Sequence, residues 1–419
     1  MTVPVDRSYR ALLGVPALGR VLLSMQIVRI AESMVGVALV LFTLGEYASP
    51  ALAGLVTLVS ILPGLLVSPI AGALLDRHGR TRLIILDYCV ALVTICGIGL
   101  LANAGVLTPA LLLLIAGVSS LTSILSHTGL RSLFPIIVPS HLWERVNAVD
   151  SNGYVVATII GPPLAAGLVA LLGGSTALVL IGLLFGAAAL AMIGAPDPRP
   201  AAPSTASVWR DAWDGLRYTW RNRTLRGLGF GISVQNLSSG MTTIVVPLIV
   251  LTRLGLGEAA VGWVFAVSGI TGMCSVFVAG RLDTRGREWG MLVAPGFVLV
   301  VALALLLPGL MSLAFVVLSM ALIGLLNGPM DIALFTVRQR RTDPAWMGRA
   351  FAVSMSFNFI GMPIGAALAG ALATDSLEAA IVFGIGAAFV GAVLLALLVP
   401  RQAPDASSTA VSAAAPSTD

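Results

Sequence analysis

The sequence predicts an all-α membrane protein with twelve transmembrane helices in two pseudo-symmetric halves of six. Three observations support this fold class. Hydrophobic residues make up 58% of the chain and charged residues only 10%, whereas soluble proteins contain about 25% charged residues. Twelve apolar runs are each long enough to cross a bilayer, which takes about 20 residues in a helix. A charged loop and an Arg-x-x-Ala-Val segment, followed in both copies by a glycine at the same spacing, each occur twice, 207 and 204 residues apart, which indicates a duplication.

The apolar runs set the predicted domain boundaries. Runs 1 to 6 lie at about residues 18–43, 51–75, 83–102, 109–130, 147–172 and 175–194. Runs 7 to 12 lie at about residues 226–251, 259–281, 289–308, 311–337, 350–373 and 378–399. We therefore predict an N-terminal six-helix half over residues 1–194 and a C-terminal half over residues 225–400.

The remaining residues predict a linker and a tail. Residues 195–224 are predicted to be a cytoplasmic linker, because residues 195–206 are rich in proline, alanine and serine. The linker ends in an amphipathic helix whose tryptophans Trp209, Trp213 and Trp220 share one face, so we expect it on the inner membrane surface. The alternative for this helix is a docking site for a partner protein. Residues 401–419 are small, polar and aperiodic, which is typical of a disordered tail.

Arginine decides the predicted orientation, because the chain contains no lysine. If the N terminus is cytosolic, every arginine except Arg29 and Arg253 falls at the inner membrane surface. This distribution predicts a multi-pass protein of the bacterial inner membrane with both termini in the cytoplasm. The absence of lysine argues against the phosphate-binding loop of an ATP-driven pump. Cys89, Cys96 and Cys274 lie inside apolar runs at no metal-ligand spacing.

The charged loop between runs 2 and 3 reads Gly72-Ala73-Leu74-Leu75-Asp76-Arg77-His78-Gly79-Arg80, and its second copy reads Asp283-Thr284-Arg285-Gly286-Arg287. A loop with this charge cannot lie in hydrocarbon. The pattern Gly-x-x-x-Asp-x-x-Gly-Arg resembles the signature loop of the major facilitator superfamily of secondary transporters. That resemblance implies two parallel repeats and a gate formed by both loops, with Gly72, Asp76, Arg77, Gly79 and Arg80 in one and Asp283, Gly286 and Arg287 in the other.

Polar residues are concentrated in runs 1, 4, 7 and 10, whereas runs 6, 9 and 12 are almost purely aliphatic. Because polar side chains avoid lipid, the polar runs are predicted to face a watery interior, and the resemblance implies the same arrangement. For serine and threonine the alternative is hydrogen bonding within or between helices. The residues predicted to line the cavity or couple protons are Arg29, Glu32, Gln235, Asn236, Asn327 and Asp331.

Arg29 and Glu32 are the sharpest signal, since each charge at a helix centre costs about 2.5–3.5 kcal/mol on insertion scales. They lie one turn apart in run 1, and we expect them to pair. Glu32 is the predicted proton carrier and Asp331 the reserve. The alternative is a fixed ion pair that braces the first helix. We expect Asp87 and Asp150 near the inner surface, paired with Arg82, Arg131 or Arg145.

Run 5 contains Gly161-Pro162-Pro163-Leu164-Ala165-Ala166-Gly167, which resembles the fifth-helix motif of superfamily exporters that exchange substrate for protons. Gly161, Pro162 and Gly167 would permit a hinge between two access states. Other matches, including Arg145-x-Asn147-Ala148 and Gly215-Leu216-Arg217-Tyr218, are similar to bacterial drug and siderophore exporters of the enterobactin and macrolide efflux type. Many proton-coupled exporters carry an arginine within the fourth helix; here Arg29 in run 1 is the candidate for that part.

These observations predict a secondary active transporter that works by alternating access, and not an enzyme. We expect it to export amphipathic small molecules in exchange for protons, with a proton gradient as the energy source and no cofactor or metal. The expected partners are a small-molecule substrate, protons and the lipid bilayer; we expect no nucleic acid and a monomer. The alternatives are a lipid or lysolipid flippase or an importer of the same fold and, in another class, a non-transporting membrane scaffold or receptor.

Overall fold

The computed structural model describes residues 8–197, 208–281, 286–343 and 346–401, and within these ranges it contains helices and no strand. Twelve helices are long and apolar enough to cross a membrane, which confirms the predicted number. In the first half they are α1 (Leu18–Tyr47), α2 (Pro50–His78), α3 (Arg80–Asn103), α4 (Pro109–Ile137), α5 (Trp143–Leu172) and α6 (Gly174–Met192). In the second half they are α7 (Arg223–Leu248), α8 (Glu258–Ala279), α9 (Glu288–Ala304), α10 (Leu313–Arg340), α11 (Met347–Asp375) and α12 (Leu377–Leu398).

The chain forms two compact units. The first comprises residues 1–205 with Gly257–Ala266, and the second comprises residues 206–256 and 267–419. Within the first unit α1 packs on α5 and α6, and α3 packs on α4 and α6. Within the second unit α7 packs on α11 and α12, and α9 packs on α10 and α12. The pairings therefore recur in each unit, as a duplicated sequence requires.

Small residues set how closely these helices approach. At the α7–α11 crossing, a Cβ added to Gly240, Gly361 or Gly365 would overlap the backbone of the partner helix. At the α3–α6 crossing, a Cβ added to Gly182 would overlap Cys96. Van der Waals packing of this kind holds helices together where the surrounding lipid is itself apolar. Cys96 is thus a small packing residue, as its apolar run suggested.

Short elements connect the spans. One helix covers Tyr9–Leu13, and the segment predicted to be amphipathic forms a helix from Val208 to Arg221, which we call the surface helix. Asn222 follows the surface helix, and its side chain caps α7 by accepting hydrogen bonds from the backbone N–H groups of Thr224 and Leu225. The predicted flexible stretch and tail fall mostly in residues 198–207 and 402–419, outside the described residues.

Candidate functional site

A small cavity lies inside the first unit. It is lined by Val28, Arg29 and Glu32 of α1, Ser126, His127 and Leu130 of α4, and Tyr154 of α5. Its volume of about 40 Å³ has room for a few water molecules. Drug-sized ligands need cavities of several hundred Å³, so this space can hydrate the charged side chains without holding a substrate.

Arg29 is bound by Asp150 of α5. Its Nη2 donates to the Asp150 carboxylate at 2.5 Å, and its Nη1 donates to the Asp150 backbone carbonyl. Both side chains are buried, 10% and 15% exposed, and the guanidinium carbon lies 6.0 Å from the centre of the Tyr154 ring. A second contact joins the same helices, since Gln26 donates to the carbonyl of Gly153 at 3.2 Å.

This geometry corrects two expectations. Arg29 pairs with Asp150 and not with Glu32, and Asp150 pairs with an intramembrane arginine and not with one at the inner surface. The physical reason is that Asp150 presents a carboxylate and a carbonyl together, which match two N–H groups of one guanidinium. Glu32, one turn further along α1, offers only its side chain.

Glu32 instead lies beside His127 of α4. The Glu32 Oε1 and His127 Nε2 atoms are 3.3 Å apart, and their side chains are 25% and 57% exposed. No role is predicted for His127 from the sequence. Its position in the polar stripe of run 4 could have identified it, since Ser123 and Ser126 lie on the same helix within one turn.

Asp87 of α3 completes this cluster. It is 3% exposed, and its carboxylate lies beside the hydroxyl groups of Thr122 and Ser126. The structure does not describe the side chain of Arg131, so the expected pairing with an inner arginine stays a prediction. Both Glu32 and Asp87 interact electrostatically with His127. The first unit therefore holds one imidazole in contact with the Glu32 carboxylate and a second carboxylate, Asp87, on the neighbouring helix, near the Arg29–Asp150 pair. Such a group can hold and pass a proton between neighbouring atoms.

The second unit has a different interior. Gln235 is 4% exposed; its amide nitrogen lies 3.5 Å from the Met330 sulfur, and its amide oxygen has no hydrogen-bond partner among the described residues. Asn236 donates to the carbonyl of Asn358 at 2.8 Å. Asn327 and Asp331 are exposed on α10, and Asp331 forms no ion pair with any described residue.

Arg338 was missed by the sequence reasoning, which placed it at the inner surface. It is fully buried on α10, with its guanidinium carbon 5.9 Å from the Phe335 ring centre. Its Nη1 lies 2.6 Å from the Met355 sulfur, and the amide oxygen of Asn358, correctly oriented, accepts from Nη2 at 2.5 Å. Hydropathy ends the predicted span at residue 337, before the arginines Arg338, Arg340 and Arg341, but α10 continues to Arg340 and buries Arg338.

The first charged loop is reduced to one residue, Gly79, which lies between α2 and α3 with φ of +93°. This left-handed conformation favours glycine, and an added Cβ would overlap the carboxylate of Asp197. Asp197 accepts from the backbone N–H of Thr81 at 3.1 Å, and its other oxygen lies 3.8 Å from Arg82 Nε. A carboxylate at this helix N-terminus is stabilised by the free N–H groups and the helix dipole.

The other predicted gate residues are placed only in part. Gly72, Asp76 and Arg77 belong to α2, and the structure does not describe their side chains. Arg80 is the first residue of α3. In the second copy, Gly286 has φ of +75°, Arg287 precedes α9, and Asp283 lies outside the described residues.

The predicted hinge residues all lie within α5. The helix continues through Pro162 and Pro163. A Cβ added to Gly161 would overlap Ser33, so Gly161 lets α1 and α5 approach closely. Gly167 has open space where a Cβ would lie.

The chain matches known proteins over most of its length. The family model of the Major Facilitator Superfamily matches residues 21–366 and 228–418. An uncharacterized MFS-type transporter, y4rN of Sinorhizobium fredii, is 35% identical over 405 residues, which cover 96% of this chain and 99% of that protein. The multidrug efflux pump Tap of Mycolicibacterium fortuitum is 25% identical over 337 residues, 77% of this chain and 80% of Tap.

Two solved structures share the fold. The nucleoside transporter NupG aligns with a TM-score of 0.71 at 12% identity, covering 91% of this chain and 97% of that chain. A bacterial homologue of the human lysosomal transporter Spinster, in an inward-facing and unoccupied conformation, aligns with a TM-score of 0.68 at 15% identity, covering 95% and 97%. With the family match, these alignments confirm the predicted twelve-helix architecture. The chain therefore belongs to the Major Facilitator Superfamily of membrane transporters.

Proposed function

We propose that this transporter works by alternating access and exports amphipathic small molecules in exchange for protons, with Glu32 as the proton carrier. The observation that carries the proposal is the contact between the Glu32 carboxylate and the His127 imidazole at the water-sized cavity of the first unit. An intramembrane acid with a titratable partner marks a proton route more often than a structural brace.

The Arg29–Asp150 pair explains why Glu32 is available for this task. Asp150 occupies Arg29 with two hydrogen bonds, so the guanidinium is already neutralised by another carboxylate. Among the described residues, His127 is the one that forms an ion-pair contact with Glu32, and it is more exposed than Glu32 itself. A proton from water reaches His127 first and then the carboxylate 3.3 Å away.

Protonation changes the force between α1 and α4. A carboxylate and an imidazolium attract each other, whereas the neutral carboxylic acid and neutral imidazole left after the proton has moved to Glu32 do so much less. Protonating Glu32 therefore weakens the link between these helices, and deprotonation restores it. A cycle in which the cavity opens to one side and then the other requires a link of this kind.

The substrate and direction rest on the relatives. Tap is named as a multidrug efflux pump, and its match extends over most of this chain. Export of drug-like amphipathic molecules is the activity that this relationship favours. The arginine distribution supports a cytoplasmic position for both termini in a bacterial cell, where a proton gradient across the inner membrane would drive export.

Transport in proteoliposomes under an imposed pH gradient tests the proposal. Purified full-length protein is assayed with amphipathic fluorescent dyes and, in parallel, with fluorescent phospholipids. We expect dye movement against its gradient that stops when the pH gradient is collapsed. Phospholipid movement without dye transport would instead identify a flippase, and no movement of either would favour a receptor or scaffold.

A further inference from the structure

The surface helix and the start of α7 expose a row of aromatic side chains. Trp213, Trp220 and Phe230 are 66%, 51% and 43% exposed, and the Trp220 and Phe230 rings meet edge to face at 5.7 Å. Residues 213, 217 and 220 are spaced four and three apart, so they share one face of the helix. Exposed tryptophans next to the start of a span are typical of the interfacial zone of a bilayer.

Exposed arginines surround these rings. Between Trp213 and Arg226 the exposed arginines are Arg217, Arg221, Arg223 and Arg226, and the one acid in that stretch is Asp214. Arg226 donates to the backbone carbonyl of Trp220 at 3.3 Å, which keeps a positive charge beside the aromatic row. The charge of this surface is therefore complementary to an anion.

The opposite side of the surface helix is fixed to the connection between α10 and α11. Tyr218 stacks on Trp346 at 5.1 Å with an interplanar angle of 8°, and its hydroxyl accepts from the backbone N–H of Asp343 at 2.9 Å. Asn222 donates to the carbonyl of Arg341 at 2.9 Å. These contacts prevent the helix from rotating its aromatic face inward.

We propose that Trp213, Arg217, Trp220, Arg221 and Phe230, the aromatic-basic face, bind the headgroups of anionic phospholipids in the leaflet at that end of the second unit. Guanidinium groups bind phosphates in paired hydrogen bonds, while tryptophan rings occupy the boundary between headgroups and acyl chains. A lipid suits the face better than a protein partner, because Asn222 joins the surface helix directly to a membrane span. The proposal does not depend on proton coupling.

Binding at this face has a consequence for the α10–α11 connection. A headgroup that holds Arg217 and Arg221 immobilises the surface helix, and Tyr218 and Asn222 pass that restraint to the turn after Arg340. Anionic lipid should therefore slow the local opening that lets the Asp343 amide exchange with solvent.

The test titrates full-length protein in neutral detergent with phosphatidylglycerol and measures the dissociation constant by native mass spectrometry. Each arginine near an anionic surface contributes about fivefold to binding, so Arg217→Gln with Arg221→Gln should weaken it about 25-fold. Arg253→Gln is the matched control, because Arg253 is an exposed arginine paired with Glu378 elsewhere in the same unit. Its affinity should stay that of the wild type. Hydrogen exchange at Asp343 should slow with phosphatidylglycerol in wild type and control, but not in the double variant.

Equal phosphatidylglycerol affinity for the double variant and the control would overturn the proposal. The proposal would also be overturned if the wild-type protein bound phosphatidylcholine as tightly as phosphatidylglycerol or more tightly. Binding of a protein partner to the aromatic-basic face without displacement of lipid would contradict it as well. If the double variant does not fold, the salt dependence of phosphatidylglycerol binding by the wild-type protein is the test. Phosphatidylglycerol retention should fall as ionic strength rises, and a retention independent of salt would contradict binding by arginine.

Discussion

The two halves share a scaffold but not an interior chemistry. At the offset of 206 residues Arg29 corresponds to Gln235, and at the offset of 204 Asp150 corresponds to Ser354 and His127 to Asp331. The first unit thus holds an arginine–aspartate pair and a glutamate–histidine pair. At the positions that correspond to Arg29, Asp150 and His127, the second unit has an amide, a buried serine and an exposed acid. Duplication preserved the helix pairings, while the paired charges of the first unit are not repeated at these positions of the second.

The residues that hold the N-termini of α3 and α9, which correspond in the two units, also differ. In the first unit Asp197 binds the N-terminus of α3 through Thr81 and lies near Arg82. In the second unit Glu288, inside the first turn of α9, pairs with Arg340 of α10, and Arg401 lies over the ring of Trp289 at 4.2 Å. One carboxylate acts from outside its helix and the other from within, so corresponding ends are held by different residues.

The largest effect on stability is expected at Asp150. Asp150→Asn removes the charge that neutralises Arg29 and should cost about 3–5 kcal/mol, because the guanidinium stays buried without a counter-charge. Ser354→Ala, the matched change in the second half, should cost far less. Thermal unfolding in detergent checks both.

Restoring neutrality sharpens this test. Adding Arg29→Gln to Asp150→Asn replaces the ion pair by two uncharged side chains, as at the corresponding positions Gln235 and Ser354, and the double variant should regain much of the lost stability. If Asp150→Asn alone unfolds at the wild-type temperature, the pair does not brace α1 against α5.

A smaller effect is expected at the α2–α3 turn. Asp197→Asn leaves a weaker acceptor at the start of α3 and should cost about 0.5–2 kcal/mol, with faster hydrogen exchange at the Thr81 amide. Glu288→Gln should leave that amide unchanged. Unaltered exchange at Thr81 in Asp197→Asn would show that the cap does not secure the turn.

The smallest perturbation tests whether the two halves are parallel. In a chain with Cys89, Cys96 and Cys274 replaced by serine, cysteines at Ser204 and Ser407 follow the first and second halves. Both should react with a membrane-impermeant reagent only from the cytoplasm, whereas a cysteine at Ala104, between α3 and α4, should react only from outside. Opposite labelling of Ser204 and Ser407 would contradict parallel repeats.

The helices were predictable because length and apolarity are local properties. Run 1 was placed at about 18–43 and the helix is Leu18–Tyr47; run 10 was placed at about 311–337 and the helix is Leu313–Arg340. Side-chain partners were not predictable, since the choice of Asp150 by Arg29 depends on which face of α5 meets α1. His127 and Arg338 were missed for related reasons. The role of His127 depends on Glu32, which lies on another helix. Arg338 is charged, and the sequence therefore predicts it to lie in a loop.

The most direct measurement is proton-driven transport by Glu32→Gln in proteoliposomes, with substrate binding measured on the same preparation. Glutamine keeps the shape and hydrogen bonding of Glu32 but cannot exchange a proton. We expect normal expression and retained binding, with loss of substrate accumulation driven by the pH gradient. Glu378→Gln, the same change in the exposed pair with Arg253, should transport like the wild type. If Glu32→Gln still accumulates substrate against its gradient, Glu32 is not the carrier, and the assignment of proton coupling to the first half is contradicted.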